Sequence, residues 1–113
     1  MIGWPVDAVM RPALDTEITA RGLRRRVALR GELDMDTAPE VERILEAVAD
    51  RGNEVLLDLS GLTFMDSTGV RALLHGRNVC SEHGCRFVVS RKMHVRVQEL
   101  LSLTEVFDSL SVT

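Results

Sequence analysis

The sequence predicts an α/β domain with a mixed, largely parallel sheet flanked by helices, in the order β-β-α-β-α-β-α-β. Three observations carry this. Apolar residues recur at a period of two before Leu33 and at helical spacing in three later stretches. Between the helical stretches lie short, nearly continuous apolar runs, such as Val55-Leu56-Leu57-Asp58-Leu59. Strands that alternate with helices in this way join as parallel neighbours through right-handed crossovers. Finally, 113 residues, 45% hydrophobic and 27% charged, suit one globular domain with its own core.

The elements follow in order. Residues 1–12 show no period, and Trp4, Pro5 and Pro12 indicate an extended lead-in to a single domain at 13–113. From Leu14 to Leu33 the pattern is strand-like, broken by a hairpin turn at Arg21-Gly22. After the turn Val27, Leu29, Gly31 and Leu33 alternate with Ala28, Arg30 and Glu32, the mark of a strand with one wet face. Thr37-Ala38-Pro39-Glu40 has capping-box spacing with proline in the first turn. Val41, Ile44, Leu45 and Val48 then form one helical stripe that Arg51-Gly52-Asn53 ends. Val55–Leu59 reads as a strand covered on both faces and closed by Ser60-Gly61. A second helix starts near Asp66-Ser67 and ends around His83-Gly84. Val70, Leu73, Leu74 and Cys80 face inward, Arg71, His75 and Asn78 face water, and the stem of Arg77 lies along apolar surface. Phe87-Val88-Val89 is a short strand, Met93, Val97, Leu100 and Leu101 mark a third helix, and Val106-Phe107 begins a last short strand.

Charge and composition narrow the function. The net charge is −3, from 14 basic and 17 acidic residues, which disfavours nucleic acid binding by phosphate neutralisation. Arg24-Arg25-Arg26 fits a solvated strand start beside a turn better than a basic patch in such a domain. No run of apolar residues is long enough to span a membrane, and the first residues lack the pattern of a secretory signal. Two cysteines, Cys80 and Cys85, make no disulfide framework, so a reduced, cytoplasmic protein is expected.

The segment Leu62-Thr63-Phe64-Met65-Asp66-Ser67-Thr68-Gly69-Val70 joins a buried strand to a helix and places two adjacent hydroxyls in the first helical turn. Functional loops of α/β sheets gather at the carboxyl ends of strands, and a helix start offers free N–H donors in a positive field. Ser67 there would accept a phosphoryl group in favourable local electrostatics, but from residue types alone the simpler reading is that Asp66 or Ser67 is the N-cap.

Gly31-Glu32-Leu33-Asp34 before Thr37-Ala38, followed by Met65-Asp66-Ser67-Thr68-Gly69, resembles the STAS domain, and within it the bacterial anti-sigma factor antagonists. The resemblance spans roughly Leu14 to Leu110 in matching order. It implies a STAS-like fold and a binding module that docks on an anti-sigma factor, itself a serine kinase, to release a sigma factor. It also implies phosphorylation of the antagonist at the motif serine, Ser67, reversed by a serine phosphatase. Thr68 is the competing acceptor. Asp34, Asp66, Thr68, Gly69, Val70 and Arg71 match the partner surface, with Gly69 admitting a close approach. Two positions depart from the family pattern: Ser102 stands where glycine is common, and Ser90-Arg91 where Ser-Pro is common. Both bear on partner choice and leave the Ser67 motif intact.

Other readings compete. A STAS scaffold subunit, in a stress-signalling complex or beside a membrane transporter, would share the fold. A small enzyme or nucleotide-binding domain lacks support, because Met65 stands where a Gly-x-Ser-x-Gly elbow needs glycine and the glycines are not clustered. No cofactor is expected. Cys80, His83 and Cys85 are potential metal ligands but lack a fourth partner, so plain thiols are the simpler expectation. Asp58, inside an apolar strand, is either a functional carboxylate or one that bonds local backbone N–H groups.

Overall fold

The computed structural model describes residues 14–103 and the strand at 111–112. Strands β1 (Leu14–Arg21), β2 (Arg24–Leu33), β3 (Glu54–Met65), β4 (Arg86–Val89) and β5 (Ser111–Val112) form one sheet in the order β1-β2-β3-β4-β5. β1 runs antiparallel to β2, and every later neighbour is parallel. Helices α1 (Ala38–Val48), α2 (Ser67–His83) and α3 (Val95–Leu103) are the crossovers. The expected element order therefore holds. The lead-in at 1–12 and the strand start at Val106-Phe107 lie outside the described residues.

The hairpin turn is Gly22-Leu23, one residue later than expected, with Arg21 paired to Arg24. Val27, Leu29 and Leu33 of β2 and Val55, Leu57 and Leu59 of β3 turn to the core with almost no exposure. Val41 and Leu45 of α1, Val70 and Leu73 of α2, and Val97 and Leu101 of α3 join the same core. The inner face of α2 is shifted from the apolar pattern and wider than it. Gly69, Ala72 and Gly76 are buried along it, while Leu74 is only half-buried. Small residues let this helix lie close against the sheet and α1, and small residues carry no apolar signal.

β3 differs from expectation twice. It is not covered evenly on both faces: Leu56 is half-buried, and Asp58 faces the same side, paired with Arg26. Nor does it close at Ser60-Gly61, but continues to Met65. The register against β2 shifts between Ala28 and Arg30 and again between Gly31 and Glu32. Each shift inserts one extra residue on β3, a β-bulge. Core-facing positions therefore run Leu57, Leu59, Leu62, Met65, steps of two, three and three. Gly61 sits at the first bulge, where a Cβ would come within 2.9 Å of Leu29 O.

The three consecutive arginines are all engaged. Arg24 pairs with Glu54 at 2.7 Å, Arg25 donates to the carbonyl of Gly22 at 2.8 Å, and Arg26 pairs with Asp58. Their charges are taken up by the sheet and its turn, as a solvated strand start requires. Asp58 also accepts from the N–H of Ser60 at 2.9 Å, the local role foreseen for it. Burial raises its pKa, but the bonds from Ser60 and Arg26 outweigh burial and hold the carboxyl below its ordinary value.

Candidate functional site

β2 and β3 end side by side, Leu33 opposite Met65. Each strand is followed at once by an aspartate, and the two aspartates do the same work. Asp34 Oδ1 accepts from the N–H groups of Asp36 at 3.0 Å and Thr37 at 3.2 Å. Asp66 Oδ1 accepts from Thr68 N at 2.9 Å and Gly69 N at 3.3 Å. The N–H of Asp66 donates to Leu33 O at 3.2 Å, which ties the two strand ends together. The loop before α1 and the start of α2 thus share one end of the sheet.

Asp66 is the N-cap of α2, which decides between the two capping residues that the sequence leaves open. Its extended backbone and short carboxylate suit the position. Thr68 Oγ1 donates to the same oxygen, and this bond leads the causes that hold Asp66 below its ordinary pKa. The capping box expected before α1 does not form. Thr37 is the N-cap by position, but its hydroxyl makes no capping bond. It donates back to Glu32 O at 2.9 Å and accepts from Asp34 N at 3.0 Å, while Glu40 pairs with Arg43. The aspartate three residues earlier has already turned the loop, so the threonine hydroxyl faces it.

Ser67 is the first residue of α2, exposed, and its hydroxyl makes no hydrogen bond to another described residue. Thr68 is half-buried with its hydroxyl committed to the cap. Gly69 and Val70 point inward and are buried. A Cβ on Gly69 would meet Met65 Cγ at 2.6 Å and Leu33 Cγ at 2.9 Å. Room for a partner is therefore not the reason for glycine here; the first turn of α2 lies directly on the strand ends. Arg71 is exposed one turn after Ser67. It lines a shallow groove of about 190 Å³ with Met35, Ala38, Pro39, Glu42 and Thr68.

Two residues at this end went unassigned in the sequence. Met35 is 69% exposed and Phe64 is 42% exposed, large apolar side chains on a polar loop end. Met35 stands between two aspartates, and that isolation is the signal that marks it. The two departures from the family pattern are both exposed: Arg91 precedes α3, and Ser102 donates to Gln98 O at 2.9 Å on it.

No histidine partners Ser67. His75 meets Glu46 at 2.6 Å, His83 Nδ1 meets Val79 O at 2.8 Å, and His94 accepts from Arg96 N at 3.1 Å. Among the described residues no three His, Cys, Asp or Glu side chains cluster as metal ligands. No helix among them is long and apolar enough to cross a membrane.

Residues 17–110 match the family model described as "Mlab, STAS domain". The chain belongs to the STAS domain family. Solved structures repeat this STAS fold. An anti-sigma factor antagonist from Mycobacterium paratuberculosis superposes with a TM-score of 0.78 at 24% identity, covering 88% of this chain and 84% of that one. The anti-sigma factor antagonist SpoIIAA in its unphosphorylated form gives 0.71 at 14% identity, with 88% of each chain covered. A STAS domain protein from Planctomyces limnophilus, described as an anti-sigma factor antagonist, gives 0.72 at 16%, covering 86% of this chain and 87% of that one. At these identities the likeness is one of fold. A comparison with curated protein sequences returns no significant match.

Proposed function

We propose that this STAS domain is an anti-sigma factor antagonist, switched by phosphorylation of Ser67. The free domain docks on an anti-sigma factor with serine kinase activity, and the sigma factor held by that partner is released. The partner transfers a phosphoryl group from ATP to Ser67 and dissociates, and a serine phosphatase restores the free hydroxyl. The domain contributes no catalysis and needs no cofactor, nucleic acid or membrane; it works in the cytoplasm beside its partner.

The observation that carries this reading is the state of the two hydroxyls. Ser67 Oγ is exposed and free of bonds to described residues, whereas Thr68 Oγ1 is tied to Asp66. A kinase reaching the start of α2 finds one available acceptor. The docking face is formed by Asp34, Asp66, Ser67, Thr68 and Arg71, and Gly69 and Val70 support it from beneath. Met35 adds an apolar contact at its edge. Support also comes from the similar structures, one of which is an antagonist in its unphosphorylated form.

A phosphoryl group adds about −1.5 to −2 charges at pH 7. On α2 it meets the positive helix start, so the fold tolerates it. Against a partner it must be desolvated, next to the carboxylates of Asp34 and Asp66. A penalty of about 4 kcal/mol would weaken docking roughly a thousandfold.

The test is a pull-down with the anti-sigma kinase in ADP and in ATP. Wild type should bind in ADP and be lost as ATP turns over, Ser67→Ala should stay bound in both, and Ser67→Asp should bind weakly. Binding that ignores both ATP and the charge at residue 67 would instead favour a scaffold subunit in a stable assembly.

A further inference from the structure

The far end of α2, about 24 Å along the helix from Ser67, carries a second chemical feature. The helix closes there in a Schellman turn. Gly84 has φ 74°, its N–H donates to Ser81 O at 3.4 Å, and the N–H of Cys85 donates to Cys80 O at 2.9 Å. This pair of bonds folds the residue after the glycine back onto the last turn, where the two side chains meet. Two apolar side chains usually make that contact; here both are free cysteines.

The geometry suits a covalent link. With the N···O distance at 2.9 Å, standard bond lengths keep the two Cα atoms within about 7 Å. Disulfides span Cα separations of about 4.4–6.8 Å. The two thiols also differ in access. Cys80 is 1% exposed, and Cys85 is half-buried at the mouth of the turn. Burial first, and then Cys85 beside it, push the Cys80 thiol up to about 12, and burial shields it from solvent reagents, so Cys85 is the first to react. His83 is turned to its own helix through Val79 O and does not join the pair.

We propose that Cys80 and Cys85 form a redox pair that closes reversibly into an intramolecular disulfide, with Cys85 as the entry thiol and Cys80 as the resolving one. The oxidant is a low-molecular-weight disulfide such as oxidised glutathione. Cys85 Sγ, as thiolate, attacks one glutathione sulfur; the glutathione S–S bond breaks and one glutathione thiolate leaves and takes up a proton. With Cys85 now uncharged in the mixed disulfide, Cys80 Sγ gives up its proton and attacks Cys85 Sγ. The Cys80–Cys85 bond forms, and the second glutathione leaves with the Cys80 proton. Two protein thiols lose two electrons, and one oxidised glutathione becomes two reduced ones. A dithiol reductant reverses the sequence. A disulfide here would join the end of α2 to the residue before β4.

The test uses the full chain in oxidised glutathione, with free thiols trapped by a maleimide under denaturing conditions and intact mass read afterwards. Wild type should lose about 2 Da, accept no maleimide and carry no glutathione, and regain both thiols on reduction. Cys80→Ser should hold a stable glutathione adduct at Cys85. Cys85→Ser, which alters the more exposed residue, should leave Cys80 unmodified while folded. A persistent glutathione adduct on wild type, two thiols still open to maleimide, or a disulfide-linked dimer would each overturn the proposal.

Discussion

At the scale of single residues, what distinguishes Ser67 from Thr68 is a hydrogen bond. Both hydroxyls sit in the first turn of α2, but only that of Thr68 is spent on Asp66. If Ser67 is the acceptor as proposed, Thr68→Val should leave phosphorylation by an anti-sigma kinase intact while costing about 0.5–1.5 kcal/mol of stability, the usual worth of one such bond. Ser67→Ala should abolish the phosphate with no comparable loss. Tryptic phosphopeptide mapping of both variants, with a urea titration of each, checks the pair; phosphate retained on Ser67→Ala would move the acceptor to Thr68. The sequence shows two adjacent hydroxyls and an aspartate before them, and their order along the chain does not say which group caps. That depends on the backbone of Asp66, extended at φ −115° and ψ −170°, which aims its carboxylate at the N–H groups of residues 68 and 69.

At the scale of elements, the seat of α2 on the strand ends governs the site. Gly69→Ala would place a methyl group inside the contact distances of Met65 and Leu33. Alanine gains helix propensity of up to about 1 kcal/mol, while overpacking costs about 1–3 kcal/mol, so a net loss of roughly 1–2 kcal/mol is expected by denaturant titration. A variant as stable as wild type would show that α2 can lift off the strands freely. The sheet has a corresponding weak point in the Arg26–Asp58 pair. Asp58→Ala leaves the N–H of Ser60 and the guanidinium of Arg26 without their acceptor, a loss of about 1–3 kcal/mol at pH 7. Because the folded pKa of Asp58 lies below its ordinary 3.8, its stabilisation is complete above that value and disappears as pH falls through the folded pKa. The gap between wild type and Asp58→Asn should therefore narrow between pH 7 and pH 3; a constant gap would remove the charge from the account. These elements were legible in the sequence where the apolar period was regular, as in β2 and α1. β3 was not, because two bulges change its step from two to three, and a glycine inside a strand signals a stop and a bulge alike. The buried face of α2 includes Val70, Leu73 and Cys80 as its apolar pattern implies, but extends past them for a related reason: Gly69, Ala72 and Gly76 are inward by virtue of being small.

At the scale of the whole molecule, the switch proposed at Ser67 is separable from the fold, because the Ser67 side chain holds no other residue in place. Ser67 contributes no bond to the core, while Asp66, Gly69 and Val70 hold α2 in place around it. An added negative charge at the first helical residue interacts favourably with the helix start by about 0.3–1 kcal/mol. The carboxylates of Asp34 and Asp66 oppose it in a solvated setting where such repulsion is screened. The two effects leave a net change below about 1 kcal/mol in either direction. Docking has no such compensation, since water leaves the surface as the partner arrives and the same charge meets low dielectric. Ser67→Asp should thus unfold at nearly the wild-type urea concentration, with an unchanged slope, and still bind the anti-sigma partner far more weakly. Measuring both on one protein preparation separates the mechanisms. A midpoint that falls together with affinity would mean that phosphorylation acts by loosening the domain, and the electrostatic account of the interface would fail.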